Sequence, residues 1–251
     1  LEKRNRLLKK IMLKGFIDQE EYDLSIIEPL PQKPHKLPQK ANHFLQFAIK
    51  SGFKGKRLIS SIDEHIQDGI NQIALQHYNQ LSLEQIDNLA ILILDAQNGK
   101  VLSYIGNSNC ASNNCGGKVD IIQSKRSTGS TLKPFLYGFM MEEGMVLQEE
   151  LVEDIPTKIA DYSPENFDRS YDGAVKLNNA LTRSLNIPAV RLLQKYGLEK
   201  FHTRLKKLGF NSINKGPNHY GLSIILGGSE CTLWELCRAY YMLSKKAENL
   251  P

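Results

Sequence analysis

Apolar and polar positions divide the chain into a basic N-terminal stretch, a strand-like middle and a long helical remainder. Residues 2–14 carry apolar side chains at helical spacing among lysines and arginines, ended by Gly15, which predicts a basic amphipathic helix. Asp18 followed three residues later by Glu21 has the form of a capping box opening a second short helix, Gln19 to Ile27. Pro29, Pro31, Pro34 and Pro38 then fall within ten residues and predict a stiff extended linker. A module boundary is expected at or just before it. Beyond the linker, Ile62, Ile66, Ile70, Ile73 and Leu75 mark an amphipathic helix over 62–80. Leu89 to Leu94 is an unbroken apolar run, and Lys100 to Ile105 alternates. Asp95-Ala96-Gln97-Asn98-Gly99 between them carries the Asn-Gly turn signal, so the pair predicts an antiparallel hairpin. From Ser130 onward, helical periods recur over about 131–143, 175–184, 187–196, 199–208 and 231–246. A hairpin followed by a helical block predicts an α+β or mixed α/β domain with helices packed on an antiparallel sheet.

At 251 residues and 41% apolar content, the chain is long enough for one large domain or two small ones with a real core. Its net charge of +5 is uneven, since residues 1–57 hold 13 Lys/Arg against 6 Asp/Glu. That excess fits a membrane surface or an anionic polymer near the N-terminal region, or a solvated basic face. Nucleic acid is disfavoured, because no binding motif accompanies the charge. No run of eighteen apolar residues and no signal peptide is present. The chain starts mid-helix in character and stops abruptly after Leu250-Pro251, so both ends are expected to be cuts through a longer protein. Cys110 and Cys115 flank a polar loop and are candidates for a local disulfide in an oxidising compartment. A zinc site there lacks two further ligands. Cys231 and Cys237 are expected as buried thiols in an apolar helical segment. The six histidines show no metal spacing and are assigned no role.

Two short patterns carry candidate chemistry. Ser-x-x-Lys places a hydroxyl and an amine on one helix face, where the amine can take the serine proton and activate the oxygen. The pattern occurs at Ser51/Lys54, Ser130/Lys133 and Ser212/Lys215. Ser51 lies in a basic, glycine-containing stretch with no apolar period after it, and Ser212 runs into the breaker Gly216-Pro217. Only Ser130 is followed by a helical apolar series, Leu132, Phe135, Leu136, Phe139 and Met140. Gly129 before it lets the backbone approach a ligand closely, and Pro134 is tolerated in a first helical turn. Ser184-Leu185-Asn186 offers a second hydroxyl and an amide where two helical segments meet, with Pro188 suited to the first turn of the second helix. The pair suits proton relay and amide binding. It equally suits helix capping.

In order along the chain, these segments resemble the transpeptidase part of class A, bifunctional penicillin-binding proteins, most of all the 1C type. Arg126-Ser127-Thr128-Gly129-Ser130-Thr131-Leu132-Lys133-Pro134-Phe135 is similar to the family's first motif, and Ser184-Leu185-Asn186-Ile187-Pro188-Ala189-Val190 to its second. Asp161 to Asp168 and Tyr171-Asp172-Gly173-Ala174-Val175 resemble the segment between them, and Leu222 to Gly228 a stretch that follows. Ser60-Ser61-Ile62-Asp63 looks like the strand entering the transpeptidase domain, and residues 1–30 like the tail of a glycosyltransferase module. The organisation implied is 1–30 glycosyltransferase tail, 31–57 Pro/basic linker and 58–251 a partial transpeptidase domain of the penicillin-binding/β-lactamase-like fold.

The resemblance implies that Ser130 is the acylated nucleophile. Lys133 would be its general base, kept neutral by burial and neighbouring cations, with Ser184 and Asn186 assisting proton transfer and amide binding. The implied reaction is D,D-transpeptidation. Ser130 attacks a D-Ala-D-Ala bond of a peptidoglycan stem, D-alanine leaves, and a neighbouring stem's amine resolves the acyl-enzyme. Implied partners are stem peptides, glycan strands and β-lactam antibiotics. The resemblance implies neither a metal nor an organic cofactor. The parent would be membrane-anchored on the periplasmic side of the bacterial inner membrane. The family's third motif, Lys-Thr-Gly or Lys-Ser-Gly, helps form the oxyanion hole. Lys50-Ser51-Gly52 precedes the nucleophile and is in the wrong order, so the third motif is expected beyond Pro251 and this chain alone is expected to be inactive. Two alternatives stand beside this reading: a β-lactamase or β-lactam sensor domain, and a non-catalytic cell-wall scaffold.

Overall fold

The computed structural model describes residues 1–30, 39–108, 116–159 and 162–248. The chain divides into two compact units, Leu1–Gln39 and Lys40–Pro251.

In the first unit, helix α1 (Glu2–Leu13) packs against α2 (Gln19–Ile27). The capping box is present: Asp18 accepts from the Glu21 N–H at 2.8 Å, and Glu21 accepts from the Asp18 N–H at 3.1 Å. Arg4 ties the two helices by donating to the Ile26 and Glu28 carbonyls. Neither helix buries a residue, so its apolar positions stay at the surface of this unit.

The second unit begins inside the stretch expected to be linker. Residues 42–48 form α3, continued by a π-type turn over Ile49–Phe53, and His43 and Ala48 are buried. No strand forms at 60–63, although the Asp63 N–H donates to the Leu102 carbonyl at 3.0 Å. Asp63 then caps α4 (Glu64–Leu81) by accepting from the Ile66 N–H at 2.9 Å. The expected apolar face of this helix is covered only in part, with Ile62, Ile66 and Ile70 half-buried. Ile73 and Leu75 are exposed, whereas Gln67 and Ala74 are buried. Gln67 is what holds α4 to the sheet. Its amide oxygen accepts from the Tyr104 N–H at 2.9 Å and the Ser103 hydroxyl at 3.1 Å, and its amide nitrogen donates to Asn71 and the Lys40 carbonyl.

The predicted hairpin is β1 (Ile91–Leu94) paired antiparallel with β2 (Val101–Ile105), in register Ile91 to Ile105 with a shift after Ile93. Its loop is longer than a two-residue turn. The Gly99 N–H bonds to the Asp95 carbonyl and the Asp95 N–H to the Lys100 carbonyl. Among the described residues there is no single large sheet. Three two-stranded antiparallel pairs form instead, β1 with β2, β3 (Arg126–Ser127) with β6 (Glu230–Cys231), and β4 (Leu151–Asp154) with β5 (Gly173–Lys176).

Helices α5 (Lys133–Glu142), α6 (Leu177–Thr182), α7 (Asn186–Tyr196), α8 (Leu198–Lys207), α9 (Pro217–Tyr220) and α10 (Leu233–Glu248) supply the rest. Their apolar faces meet in one core that includes Phe135, Leu136, Phe139, Met140, Val190, Leu193, Phe201, Leu205, Phe210 and Ile225. Phe135 packs edge-on to Phe210 and Tyr240 at centroid distances of 5.8 and 4.9 Å. This is an α+β architecture. The helix expected from 175 starts at 177, because 173–176 pair with a strand 22 residues upstream, which local periodicity cannot reveal. Cys231 lies in β6 rather than in a helix. It is buried, while Cys237 in α10 is half-buried. Cys110, Cys115 and Asp161 lie outside the described residues.

Replacing Gln67 by Leu should lower the stability of this unit by about 2 kcal/mol, because the Tyr104 N–H and the Ser103 hydroxyl lose their buried acceptor. Urea denaturation checks this, and an unchanged midpoint would show that α4 is held by apolar contact alone.

Candidate active site

Ser130 lies in the turn between β3 and α5. Gly129 before it takes φ +52°, the left-handed region, and a Cβ there meets nothing within 4 Å. The glycine serves the bend, and no protein atom crowds it. The close approach falls at Gly227 (φ +103°), where a Cβ would sit 2.9 Å from the backbone of Gly129. Ser127 donates to the Gly227 carbonyl and Thr128 to the Ser229 carbonyl, so the 227–229 backbone runs directly against the Ser130 turn. Tyr240 of α10 closes it from the other side by donating to the Thr131 carbonyl at 2.9 Å.

Lys133, the first residue of α5, is 1% exposed. Its amine donates to the Ser184 carbonyl at 2.6 Å, to the Asn186 amide oxygen at 2.8 Å and to the Ser184 hydroxyl at 3.3 Å. Burial pushes its pKa down to about 8, and burial is the only cause; no neighbouring cation contributes, contrary to the expectation from sequence. Three of the four expected site residues, Lys133, Ser184 and Asn186, are thus in direct contact. The fourth, Ser130, is half-buried three residues from Lys133, and its hydroxyl forms no hydrogen bond among the described residues.

Ser184 reaches Lys133 because it sits where helix α6 ends in a Schellman turn. The Ser184 N–H returns to the Leu181 carbonyl and the Leu185 N–H to the Ala180 carbonyl, with Ser184 at φ +55°. Glycine usually occupies that position, and a serine there is held against a strain of about 1–2 kcal/mol. Its carbonyl and hydroxyl are both turned onto Lys133 as a result. Neither Ser184 nor Asn186 caps a helix with its side chain.

The sequence reading named no role for Asn166 or Asp154. Asn166 is 2% exposed, and its amide oxygen accepts from the Asn186 and Ile187 N–H groups at 2.9 and 3.2 Å, so it caps α7 from twenty residues away. Its amide nitrogen donates to Asp154 at 2.7 Å and to the Ser170 carbonyl at 2.9 Å. The other Asp154 oxygen accepts from the Asp172 N–H at 3.0 Å. Asn166 lay in the stretch that resembled the family's connecting segment, but no local pattern pointed to its contacts. Lys50-Ser51-Gly52 occupies the π-type turn, and Ser212 lies in a non-helical turn. Among the described residues, no group of three or more His, Cys, Asp and Glu side chains is placed to hold a metal.

This arrangement of a buried lysine, a serine at a helix start and a Ser-x-Asn corner coincides with a family match. Residues 89–228 match the penicillin binding protein transpeptidase domain, and the chain belongs to that family. It is 31% identical over 237 residues to penicillin-binding protein 1C of Escherichia coli K12, covering 94% of this chain and 30% of that protein. Against penicillin-binding protein 1B of the same organism it is 28% identical, covering all of this chain and 32% of the relative. The chain spans about a third of the length of these relatives. The fold is similar to that of penicillin-binding protein 1A from Haemophilus influenzae, at a TM-score of 0.68 and 18% identity, covering 96% of this chain and 51% of that one. It is also similar to PonA1 from Mycobacterium tuberculosis in complex with penicillin V, at a TM-score of 0.61 and 22% identity, covering 82% and 56%.

Three substitutions test the geometry around Ser130. Ser184→Gly should raise the thermal midpoint by relieving the left-handed strain, whereas Ser184→Ala should not. Gly227→Ala should lower stability by about 2 kcal/mol or more in urea, because the added methyl meets backbone and not a yielding side chain.

Proposed function

We propose that the chain provides the D,D-transpeptidase centre of a bifunctional cell-wall synthase and is acylated on Ser130. The observation that carries this reading is the Lys133 amine, buried, lowered to a pKa of about 8, and enclosed by Ser184 and Asn186 three residues from a serine with an uncommitted hydroxyl. A lysine with an ordinary pKa is protonated at neutral pH and cannot accept a proton. One near 8 is neutral often enough to act as a base.

In the reading proposed, neutral Lys133 takes the Ser130 proton as the oxygen attacks the carbonyl of the penultimate D-alanine of a stem peptide. The C–N bond breaks, the proton passes by way of Ser184 to the departing amine, and D-alanine leaves. The Asn186 amide, held between Lys133 and the Glu165 carbonyl, lies next to the substrate amide. A second stem's amine then attacks the Ser130 ester, gives up its proton through the same groups and restores the serine. A β-lactam enters by the same attack. Its ring amide opens and the ester persists.

Residues 58–251 are read as a part of that domain, with a Lys-Thr/Ser-Gly strand contributed from outside the chain. Residues 1–30 are read as the tail of a glycosyltransferase module. Glycan strands and stem peptides are the proposed partners, and a membrane anchor elsewhere in the parent is proposed to hold it on the periplasmic side of the inner membrane. Among the described residues no helix is long and apolar enough to cross a membrane. The basic residues exposed on α1 fit an anionic surface.

Fluorescent penicillin followed by peptide mass spectrometry tests the reading, using a polypeptide carried past residue 251 to a Lys-Thr/Ser-Gly segment. A persistent adduct on the Ser130 peptide, abolished in Ser130→Ala, is expected. Its rate of formation should rise with pH and be half-maximal near pH 8, as Lys133 loses its proton. Absence of any adduct would overturn the acyl-enzyme, and rapid turnover of the drug would favour a β-lactamase.

A further inference from the structure

We propose that Asn166, held by Asp154, is a positioning residue for this site: it fixes the start of α7 and the orientation of the Asn186 carboxamide against the Lys133 amine. The inference rests on the reading of Lys133 as the base. It names a part of the site that lies outside the two short motifs.

Four bonds link the buried interior to the amine in series. The Asp172 N–H donates to Asp154 at 3.0 Å. Asp154 accepts from the Asn166 amide nitrogen at 2.7 Å, the Asn166 amide oxygen accepts from the Asn186 N–H at 2.9 Å, and the Asn186 amide oxygen accepts from Lys133 at 2.8 Å. Asp154 is 0% exposed and Asn166 2%. Asn166 spends its full bonding capacity, two donors and a doubly accepting oxygen, on Asp154, Ser170, Asn186 and Ile187.

Support reaches Asn186 twice. Asn166 binds its backbone N–H, and the residue next to Asn166 presents the Glu165 carbonyl that accepts from the Asn186 side-chain nitrogen at 2.8 Å. With that nitrogen committed to a carbonyl, the Asn186 oxygen has to face Lys133. An ordinary cap does not need this arrangement. The N-cap of α7 is Leu185, which is buried in the core and offers no acceptor. A serine or aspartate at the cap would satisfy the helix locally. Here the cap comes from a distant loop that also sets the neighbouring side chain. Around the network, Arg183 is ion-paired to Asp172, and Glu165 to Arg169. None of these charged groups, nor Asp154, bonds the Lys133 amine.

The exchanged pair provides the test. In Asn166→Asp the amide donor to Asp154 and to the Ser170 carbonyl is lost, and two buried carboxylates meet at hydrogen-bond distance, which forces them to take up a proton or to move apart. In the double variant Asn166→Asp/Asp154→Asn a donor again faces an acceptor, and a carboxylate suits the α7 N-terminus. Wild type, Asn166→Ala, Asn166→Asp and the exchanged double are compared by carbon NMR titration of lysine Cε, with Lys133 assigned by its absence in Lys133→Met. In parallel, the rate of labelling by fluorescent penicillin is measured on the polypeptide carried past residue 251.

Losing the Asn186 acceptor removes support for the charged amine, so Lys133 should titrate at lower pH in Asn166→Ala, whereas the carboxylate added in Asn166→Asp acts in the opposite sense. The labelling rate should fall about tenfold to a hundredfold. The exchanged double should recover both readouts. A folded Asn166→Ala that titrates and labels as wild type overturns the proposal. So does an exchanged double no better than Asn166→Asp, a comparison that stands even where the alanine variant does not fold. Wild type that never labels defeats the acyl-enzyme reading, and the Lys133 titration then judges the positioning role by itself.

Discussion

The organisation of this domain turns on one buried amine. A lysine 1% exposed carries a large desolvation penalty unless polar groups are brought to it, and the helical half of the molecule is arranged so that they are. Helix α6 ends in a left-handed serine, α7 starts with an asparagine, and both turn oxygen atoms onto Lys133. Neither partner is itself a charge. The amine is therefore solvated by dipoles without being paired, which leaves its pKa depressed near 8 and its proton exchangeable. A carboxylate in the same place would hold the proton on.

That choice constrains everything around it. Dipoles must be aimed to substitute for water, and aiming requires a rigid corner. The Schellman turn fixes Ser184 at the expense of local strain, while the Asp154–Asn166 pair fixes the start of α7 from a separate loop. On the opposite side, the 227–229 backbone passes so closely beneath Gly129 that only glycine fits at 227, and Tyr240 pins the turn from α10. The aromatic core of Phe135, Phe139, Phe201 and Phe210 supplies the stiffness, because α5 projects Lys133 from the same helix that buries three of its aromatic side chains. The left-handed Ser184 and the buried Lys133, Asp154 and Asn166 lie together where the chemistry is proposed, against the apolar core.

Much of this was legible in the chain, for reasons of range. The capping box at Asp18 and Glu21, the helix after Ser130 and the hairpin of β1 and β2 depend on neighbours within a few residues, so local spacing reveals them. The misreadings share the opposite character. Residues 175 and 176 were absorbed into a helix because the strand partner of 173–176 lies at 151–154. The apolar positions of α4 suggested a face with Ile73 and Leu75 inside, yet the sheet is met by Gln67, whose amide answers buried polar groups of β2. Burial and neighbouring cations were both expected to depress Lys133, and burial alone does so. The tight passage of Gly227 against Gly129 went unread, since nothing local says which backbone will pass a given turn.

By itself the sequence determined the inventory: a serine and a lysine one helical turn apart ahead of an apolar helix, a second Ser-x-Asn at a helix junction, and the ordered flanks that marked the family. Only the tertiary structure decided how those groups meet. It put Lys133 against Ser184 and Asn186, more than fifty residues away, and left the Ser130 hydroxyl uncommitted. It also brought in Asn166 and Asp154, which carry no recognisable motif. The physical reason is that a hydrogen bond or a burial depends on position in space, and side chains distant in the chain acquire that position only when the core has packed.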